Sequence, residues 1–172
     1  MNPIFLFPTE LEARAFCDLC PETEVVISGV GMAETAATLA RISISKSLHG
    51  RVVILAGIAG CYEQRCAVGE VVEVVAEVIS ELPQRFAQRY IVEPYTELRH
   101  VVSNTVCRCN AECCDADVEN MEGAALFALA PVMGFRAVEI RAVSNIVGDD
   151  FAKWNIELAT QNLAKTLLKY AE

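Results

Sequence analysis

Apolar residues fall in short blocks separated by glycine or polar turns, and the period inside the blocks switches between strand-like and helix-like. Ile4 to Phe7 is a compact apolar run that predicts a short buried strand, and Glu24 to Ser28 predicts a second. Between them, Thr9-Glu10-Leu11-Glu12 has the spacing of a capping box and predicts a helix reaching about Leu19. After Gly29-Val30-Gly31, small and apolar residues recur at helical spacing (Ala33, Ala36, Ala37, Ala40, Ile44) and predict a helix from Met32 to about Leu48. Arg51 to Ala56, rich in Val and Ile, predicts a strand that ends in a glycine turn, Gly57-Ile58-Ala59-Gly60. Val68 to Ile79 predicts a long strand, and Tyr90 to Pro94 and Arg99 to Val106 predict shorter ones. Val118 to Met133 reads as a helix, with Pro131 near its end and Gly134 as the stop. Phe135 to Val147 predicts a strand, and Phe151 to Tyr170 a closing amphipathic helix.

Strands and helices in this alternating order predict an α/β fold: a three-layer α/β/α sandwich with a mixed, mainly parallel central sheet, in one domain spanning 1–172. Ligands of such sheets sit outside the carboxyl ends of the strands. That points to the segments after Phe7, after Ser28, after Ala56, at the start of the Val118 helix and after Val143, where polar and glycine residues also gather.

Composition narrows the classes. An apolar content of 53% with 22% charged residues describes a globular chain, and no apolar run approaches the length of a membrane span. Lys and Arg number 14 against 23 Asp and Glu, a net charge of −9 without any basic stripe, which argues against nucleic acid and anionic membranes as partners. The N-terminal apolar block has no basic residue before it, so a cytoplasmic location is expected. Among eight cysteines, Cys17 and Cys20 form a C-x-x-C pair, and Cys107, Cys109, Cys113 and Cys114 crowd together. No second C-x-x-C and no histidine at ligand spacing accompanies them, so reduced structural thiols are expected, with no metal site and no cofactor.

The residues with candidate chemistry each carry two readings. Glu12 is either the partner of Thr9 in the capping box or a general base that takes a proton from water. Gly57, Ala59 and Gly60 form either a tight turn or a stretch of bare backbone that a ligand can approach. Gly29-Val30-Gly31 lacks both a third glycine at dinucleotide spacing and a Walker lysine. In Asn120-Met121-Glu122-Gly123-Ala124-Ala125, the carboxylate of Glu122 either serves the helix dipole or accepts two hydrogen bonds from the adjacent hydroxyls of a ribose. Ser144-Asn145 ends a strand, where the amide is either a turn residue or a partner for a base edge. Trp154 either packs the last helix or walls a site. His49 and His100 are isolated, and no nucleophile elbow accompanies them, which removes support for a hydrolase triad.

Val118-Glu119-Asn120-Met121-Glu122-Gly123-Ala124-Ala125 and Arg141-Ala142-Val143-Ser144-Asn145-Ile146-Val147-Gly148 together resemble the signature segments of the nucleoside phosphorylase superfamily. Within it they are most similar to futalosine hydrolase, ahead of methylthioadenosine/S-adenosylhomocysteine nucleosidase. The Gly29 to Leu39 segment, Gly57 to Gly60 and Gly69-Glu70-Val71-Val72 match in order. The resemblance implies roles: Glu12 activates water, Gly60 gives a backbone contact, and Met121 and Glu122 pack under the ribose and bind its hydroxyls. Asn145 then hydrogen-bonds the departing base. It implies cleavage of the N-glycosidic bond of a purine-type nucleoside, of the futalosine kind used in menaquinone synthesis, in a homo-oligomer. Phosphorolysis, a methylthioadenosine-type substrate and an inactive nucleoside-binding relative are the alternatives. Water is favoured over phosphate because the Pro8-Thr9-Glu10 loop has no glycine and the Gly57 turn has no arginine beside it. Three features depart from the pattern: the stretch from about Leu82 to Asp117 is short, Asp149-Asp150 stands where the family carries an arginine, and the Cys107 to Cys114 cluster has no counterpart.

Overall fold

The computed structural model describes residues 3–63, 65–113 and 115–171. The elements run β1 (Ile4–Phe7), α1 (Glu10–Leu19), β2 (Val25–Ile27), α2 (Met32–Ser45), β3 (Val52–Cys61), β4 (Val71–Val78), β5 (Arg89–Ile91), β6 (Arg99–Thr105), β7 (Val118–Asn120), α3 (Gly123–Met133), β8 (Arg136–Ile146) and α4 (Ile156–Leu167). No helix among the described residues is long and apolar enough to cross a membrane.

The alternation within β1 sorts the molecule into layers. Ile4 and Leu6 face one side, with Val53 and Leu55 of β3, and are covered by Leu39 and Ile42 of α2 and Leu126 and Phe127 of α3. Phe5 and Phe7 face the other side with Ile54, covered by Phe16 of α1 and Leu163 and Leu167 of α4. Phe16 stacks against Phe5 at a centroid distance of 4.7 Å. Burial of each such aromatic is worth about 1.5–3 kcal/mol, so the two faces together fix the strand register. Among the described residues, five of the eight strand pairings are parallel, which is the mixed, mainly parallel sheet expected.

The sheet does more than lie flat. β3 pairs with β8, β8 with β4, β4 with β6, β6 with β7, and β7 returns to β3. These five strands close a circuit at one end of the sandwich. Two irregularities steer side chains relative to that ring. On β4 the register with β6 shifts between Val74 and Ala76. Glu73 is thereby left bonding Tyr95 N and Thr96, while Glu77 points to Thr105 and Asn120. On β8 the register with β3 skips one residue, Ser144, opposite the Ala59–Gly60 step.

Several sequence expectations are corrected. The expected turn at Gly57 to Gly60 is continuous strand, because β3 runs on to Cys61 with β8 alongside. Residues 118–120 are not the first turn of a helix but strand β7, paired between β3 and β6, and the helix starts at Gly123. The alanine stripe of α2 is not its buried face: Thr35, Thr38, Leu39 and Ile42 are buried, while Ile44 is 88% exposed. The larger Leu and Ile side chains fill the groove against α3, and alanines leave too little area to compete. The closing helix is preceded by a short 3-10 turn at Phe151–Lys153, and α4 begins at Ile156, capped by Asn155.

Candidate active site

A cavity of ≈ 280 Å³ opens at the carboxyl ends of β1, β3 and β8, where the switch-point rule locates ligands. Its lining includes Glu12, Ala59, Gly60, Met121, Glu122, Ser144 and Asn145 from the predicted set. Gly57 does not line it. A Cβ at Gly57 would lie 2.6 Å from Arg141 Nη1 and 2.8 Å from Glu12 Oε1, so the glycine makes room behind the carboxylate instead of touching a ligand.

Glu12 sits two residues into α1 and lines the cavity. Thr9 is the N-cap and its Oγ1 accepts Glu12 N at 3.3 Å, which is half of the expected capping box. The other half is absent. Glu12 Oε2 accepts the Thr9 hydroxyl at 2.6 Å, and Oε1 accepts the Ile58 N–H of β3 at 2.9 Å. The carboxylate is thus held across the cavity floor by a strand residue. Burial pushes its pKa up; the bonds from Thr9 and Ile58 and the Arg141 charge pull the other way without cancelling it.

Glu122 is the N-cap of α3, yet it makes no capping bond with its side chain. Asn120 does that work: its Oδ1 accepts Glu122 N at 2.8 Å and Gly123 N at 2.7 Å, and Thr105 Oγ1 accepts Ala124 N at 2.8 Å. The Glu122 carboxylate is therefore free of the helix end. Oε1 accepts Gly31 N at 2.9 Å and Oε2 accepts Arg141 Nη2 at 3.1 Å. Gly31, in the glycine turn before α2, has a φ of +92°, a backbone state that suits glycine and aims its N–H at the cavity.

The bulge on β8 turns Ser144 and Asn145 toward the same hollow. Ser144 Oγ lies 2.8 Å from Asn145 Oδ1 and donates to it. With the oxygen end engaged, the Nδ2 end presents N–H groups, one of them to Ile146 O at 3.1 Å. Gly60 stands beside this amide: an added Cβ would meet Asn145 Nδ2 at 3.2 Å.

Sequence reasoning missed Arg141, the most consequential residue here. It is fully buried, and every part of its guanidinium is engaged. Nε donates to Glu139 Oε1 at 2.8 Å, Nη2 to Asn120 Oδ1 at 2.9 Å and to Glu122 Oε2, and Nη1 to Ile58 O at 3.4 Å. Burial opposes its charge, but Glu139 and Glu122 more than offset that and drive its pKa further up. The expectation that Gly57 has no arginine beside it fails in space: Arg141 reaches that position from β8, by parallel pairing with β3. The available signal was a charged pair, Glu139 and Arg141, inside an otherwise apolar strand.

Pro8, Thr9, Leu11, Val30, Ile58, Val106, Cys109, Glu119, Asn120, Phe151, Trp154 and Ile156 complete the lining. Trp154 thus walls the cavity, with the Phe151 ring 5.2 Å away. The loop after β6 reaches the cavity through Val106 and Cys109, and Glu119 anchors it by accepting Asn110 N at 2.8 Å and Ala111 N at 3.3 Å. Cys107 and Cys109 are exposed free thiols, Cys113 is half-buried, and Cys114 lies outside the described residues. Cys17 and Cys20 are free thiols packed against the aromatic side of the core. Asp149, where the family pattern has arginine, accepts Ile146 N at 3.2 Å and pairs loosely with Lys153 at 3.8 Å.

The phosphorylase superfamily model matches residues 114–172, the part of the chain that holds both late motifs. No curated protein matches the chain. Solved structures match over nearly its whole length. The 5′-methylthioadenosine nucleosidase of Arabidopsis thaliana in apo form superimposes with a TM-score of 0.83 at 18% identity, covering 98% of this chain and 93% of that one. The 5′-methylthioadenosine/S-adenosylhomocysteine nucleosidase of Helicobacter pylori, bound to butyl-thio-DADMe-Immucillin-A, gives 0.84 at 13% identity, covering 99% and 97%. A futalosine hydrolase mutant from Helicobacter pylori strain 26695 gives 0.79 at 13% identity, covering 99% and 98%. The chain has the fold of these proteins, and the family resemblance of its late motifs is matched independently by the superfamily model.

Proposed function

We propose that this chain, with its phosphorylase-superfamily match and its nucleosidase fold, is a single catalytic unit that hydrolyses the N-glycosidic bond of a purine-type nucleoside. The observation that carries the reading is the convergence of Glu12, Glu122 and Asn145, distant in sequence, on one cavity. Breaking a glycosidic bond builds positive charge on the sugar and negative charge on the leaving base. Carboxylates near the sugar and an amide donor near the base lower that barrier because they are already in place.

Glu12 is the general base. Its position against Ile58 N–H and the Thr9 hydroxyl leaves it oriented, and burial raises its proton affinity above that of an ordinary carboxylate, which makes it a stronger base. Glu122, with Met121 beside it, takes the ribose hydroxyls, and Asn145 Nδ2 donates to the base. Water is the nucleophile. Among the described residues, Arg141 is the cation that reaches the floor, and its donors are spent on Glu139, Asn120, Glu122 and Ile58. The described lining holds no Lys, Arg or His, which leaves no seat for a phosphate dianion.

The same charge balance bears on the 5′ substituent. Futalosine carries a carboxylate there, and Asp149-Asp150 and a cation-free lining disfavour it. A neutral, apolar substituent suits Leu11, Val30, Phe151 and Trp154, so an adenosyl thioether is favoured over futalosine among the nucleosides considered. Leu11, Val30 and Phe151 are exposed at the cavity mouth, which supports a homo-oligomer in which a second copy covers them; light scattering reads the mass.

The test is to incubate the protein with methylthioadenosine, futalosine and inosine, with and without phosphate, and to measure released base. Release from methylthioadenosine without phosphate is expected. Release that requires phosphate overturns hydrolysis, and release from futalosine alone overturns the preference for a neutral substituent.

A further inference from the structure

Beneath Gly123, at the closed end of the sheet, two carboxyl groups meet with no cation between them. Glu77 of β4 and Glu139 of β8 are both fully buried. A Cβ added at Gly123 would collide with Glu77 Oε1 and with Glu139 Oε2 at once, so these two oxygens share one small space. Their other partners are fixed. Glu77 Oε1 accepts Asn120 Nδ2 at 2.6 Å and Oε2 accepts the Thr105 hydroxyl at 2.7 Å. Glu139 Oε1 accepts Arg141 Nε at 2.8 Å. Among the described residues no donor reaches Glu139 Oε2, although it is buried.

A buried carboxylate oxygen without a donor, pressed against a second carboxylate, is doubly unfavourable: it forfeits a hydrogen bond and faces like charge. One proton cures both faults. We infer that Glu77 and Glu139 share a single proton, carried on Glu77 and donated to Glu139 Oε2, and that this pair is the positioning device for Arg141 and, through it, for Glu122. The remaining single negative charge lies on Glu139, against Arg141. Arg141 then bridges to Glu122 at 3.1 Å, and its charge also reaches Glu12.

The groups facing the pair from each packed element agree with one proton. β6 supplies Ser103 and Thr105, β7 supplies Asn120, β8 supplies Arg141, and α3 supplies only its first turn, with Glu122 at its cap. Burial first, and then the charge of Glu139, push Glu77 well upward, and the Glu139 pKa is raised by burial against the pull of Arg141. The positioning half of the inference rests on the nucleosidase reading, whereas the shared proton does not.

The experiment compares wild type, Glu139→Gln and Glu77→Gln by infrared difference spectroscopy at neutral pH, alongside pH profiles of kcat/KM. Glu139→Gln is the informative variant. A glutamine there still accepts from Arg141 Nε, and its amide donates to Glu77, which no longer needs a proton. Glu77→Gln costs the Asn120 bond and serves to assign the band. Wild type is expected to show a protonated-carboxyl stretch that disappears in both variants. Its absence from wild type, or its survival in Glu139→Gln, overturns the shared proton. Moving the negative charge from Glu139 to Glu77 leaves Arg141 less compensated and favours ionised Glu12. The acid limb of kcat/KM should then move to lower pH, with KM rising about two- to thirtyfold, the range for a residue acting through a neighbour. An unchanged limb and KM in a variant that has lost the band overturns the positioning role. In a wild type that cleaves no nucleoside, the positioning role falls with the function it serves, while the infrared band still decides the proton.

Discussion

Under the proposed mechanism, replacing Glu12 by Gln removes the base and little else. The side chain keeps its length, Ile58 N–H still finds a carbonyl oxygen at the site it now reaches at 2.9 Å, and the new amide can donate to Thr9 Oγ1. What disappears is the ability to accept a proton from water. General-base contributions run from about 10² to 10⁴ in rate, and at about 1.4 kcal/mol per decade the loss is ~3–5 kcal/mol of transition-state stabilisation. Stability should move the other way. The folded-state pKa of Glu12 is raised by burial, so the folded protein holds this proton more tightly than the unfolded chain does. That contribution is fully present below the ordinary carboxyl pKa and is lost as pH rises through the raised value. Glutamine has no such loss, so at neutral pH the variant should melt at the wild-type temperature or above it. The assay is base release from methylthioadenosine without phosphate, with adenine binding by calorimetry and thermal melting alongside. Turnover within about threefold of wild type, with binding intact, would return Glu12 to a helix-capping role and refute the assignment.

Other outcomes follow from the same geometry. Wild-type kcat/KM should fall as pH drops through the raised pKa of Glu12, placing the acid limb above the ordinary carboxyl value of 4.5; a limb at or below that value contradicts the burial argument. Arg141→Met leaves Glu139 and Glu122 buried without their cation and should cost about 3–5 kcal/mol, read as a large fall in melting temperature; a shift of only a degree or so would mean that the network relaxes. Asn145→Ala should lower kcat by about 10²-fold if its amide stabilises the leaving base, and a change confined to KM would make it a binding contact only. Gly57→Ala introduces a Cβ 2.6 Å from Arg141 Nη1 and 2.8 Å from Glu12 Oε1, so activity should fall and stability drop by about 1–3 kcal/mol; wild-type kinetics would show that both side chains shift at no cost.

The molecule also shows why a buried ion network can sit in an apolar fold. The ring of β3, β8, β4, β6 and β7 turns one set of alternating positions toward a common interior. Those positions carry Glu77, Ser103, Thr105, Asn120, Glu139 and Arg141, which hydrogen-bond to one another, Glu139 Oε2 excepted. Such a network adds little net stability compared with an apolar core, but it holds Glu122 and the start of α3 in one arrangement. The site is thus supported from below by polar groups and enclosed above by Leu11, Val30, Phe151 and Trp154.

Local chemistry determined a good deal by itself. The Ile4 to Phe7 alternation was enough to specify a strand buried on both faces, Thr9 was enough to start α1, and Gly134, with a φ of +71°, was enough to stop α3. Glu12, Met121, Glu122, Ser144 and Asn145 were legible as candidates, each with a structural alternative, and it was the family resemblance of the two late motifs that gave them their expected roles. Tertiary structure alone decided which of them share a cavity. Gly57 to Gly60 read as a turn, because glycine permits turns, yet it is strand, because β8 pairs along its full length and Arg141 and Glu12 occupy the space a side chain would need. Residues 118–120 read as helix from their neighbours, yet two partner strands claim them. The Glu77–Glu139–Arg141–Glu122 chain is invisible along the sequence, since its members lie on three elements that meet only when the sheet closes. Period and propensity act over a few residues, whereas a ring of strands and a buried charge are satisfied only by partners that folding brings from far away.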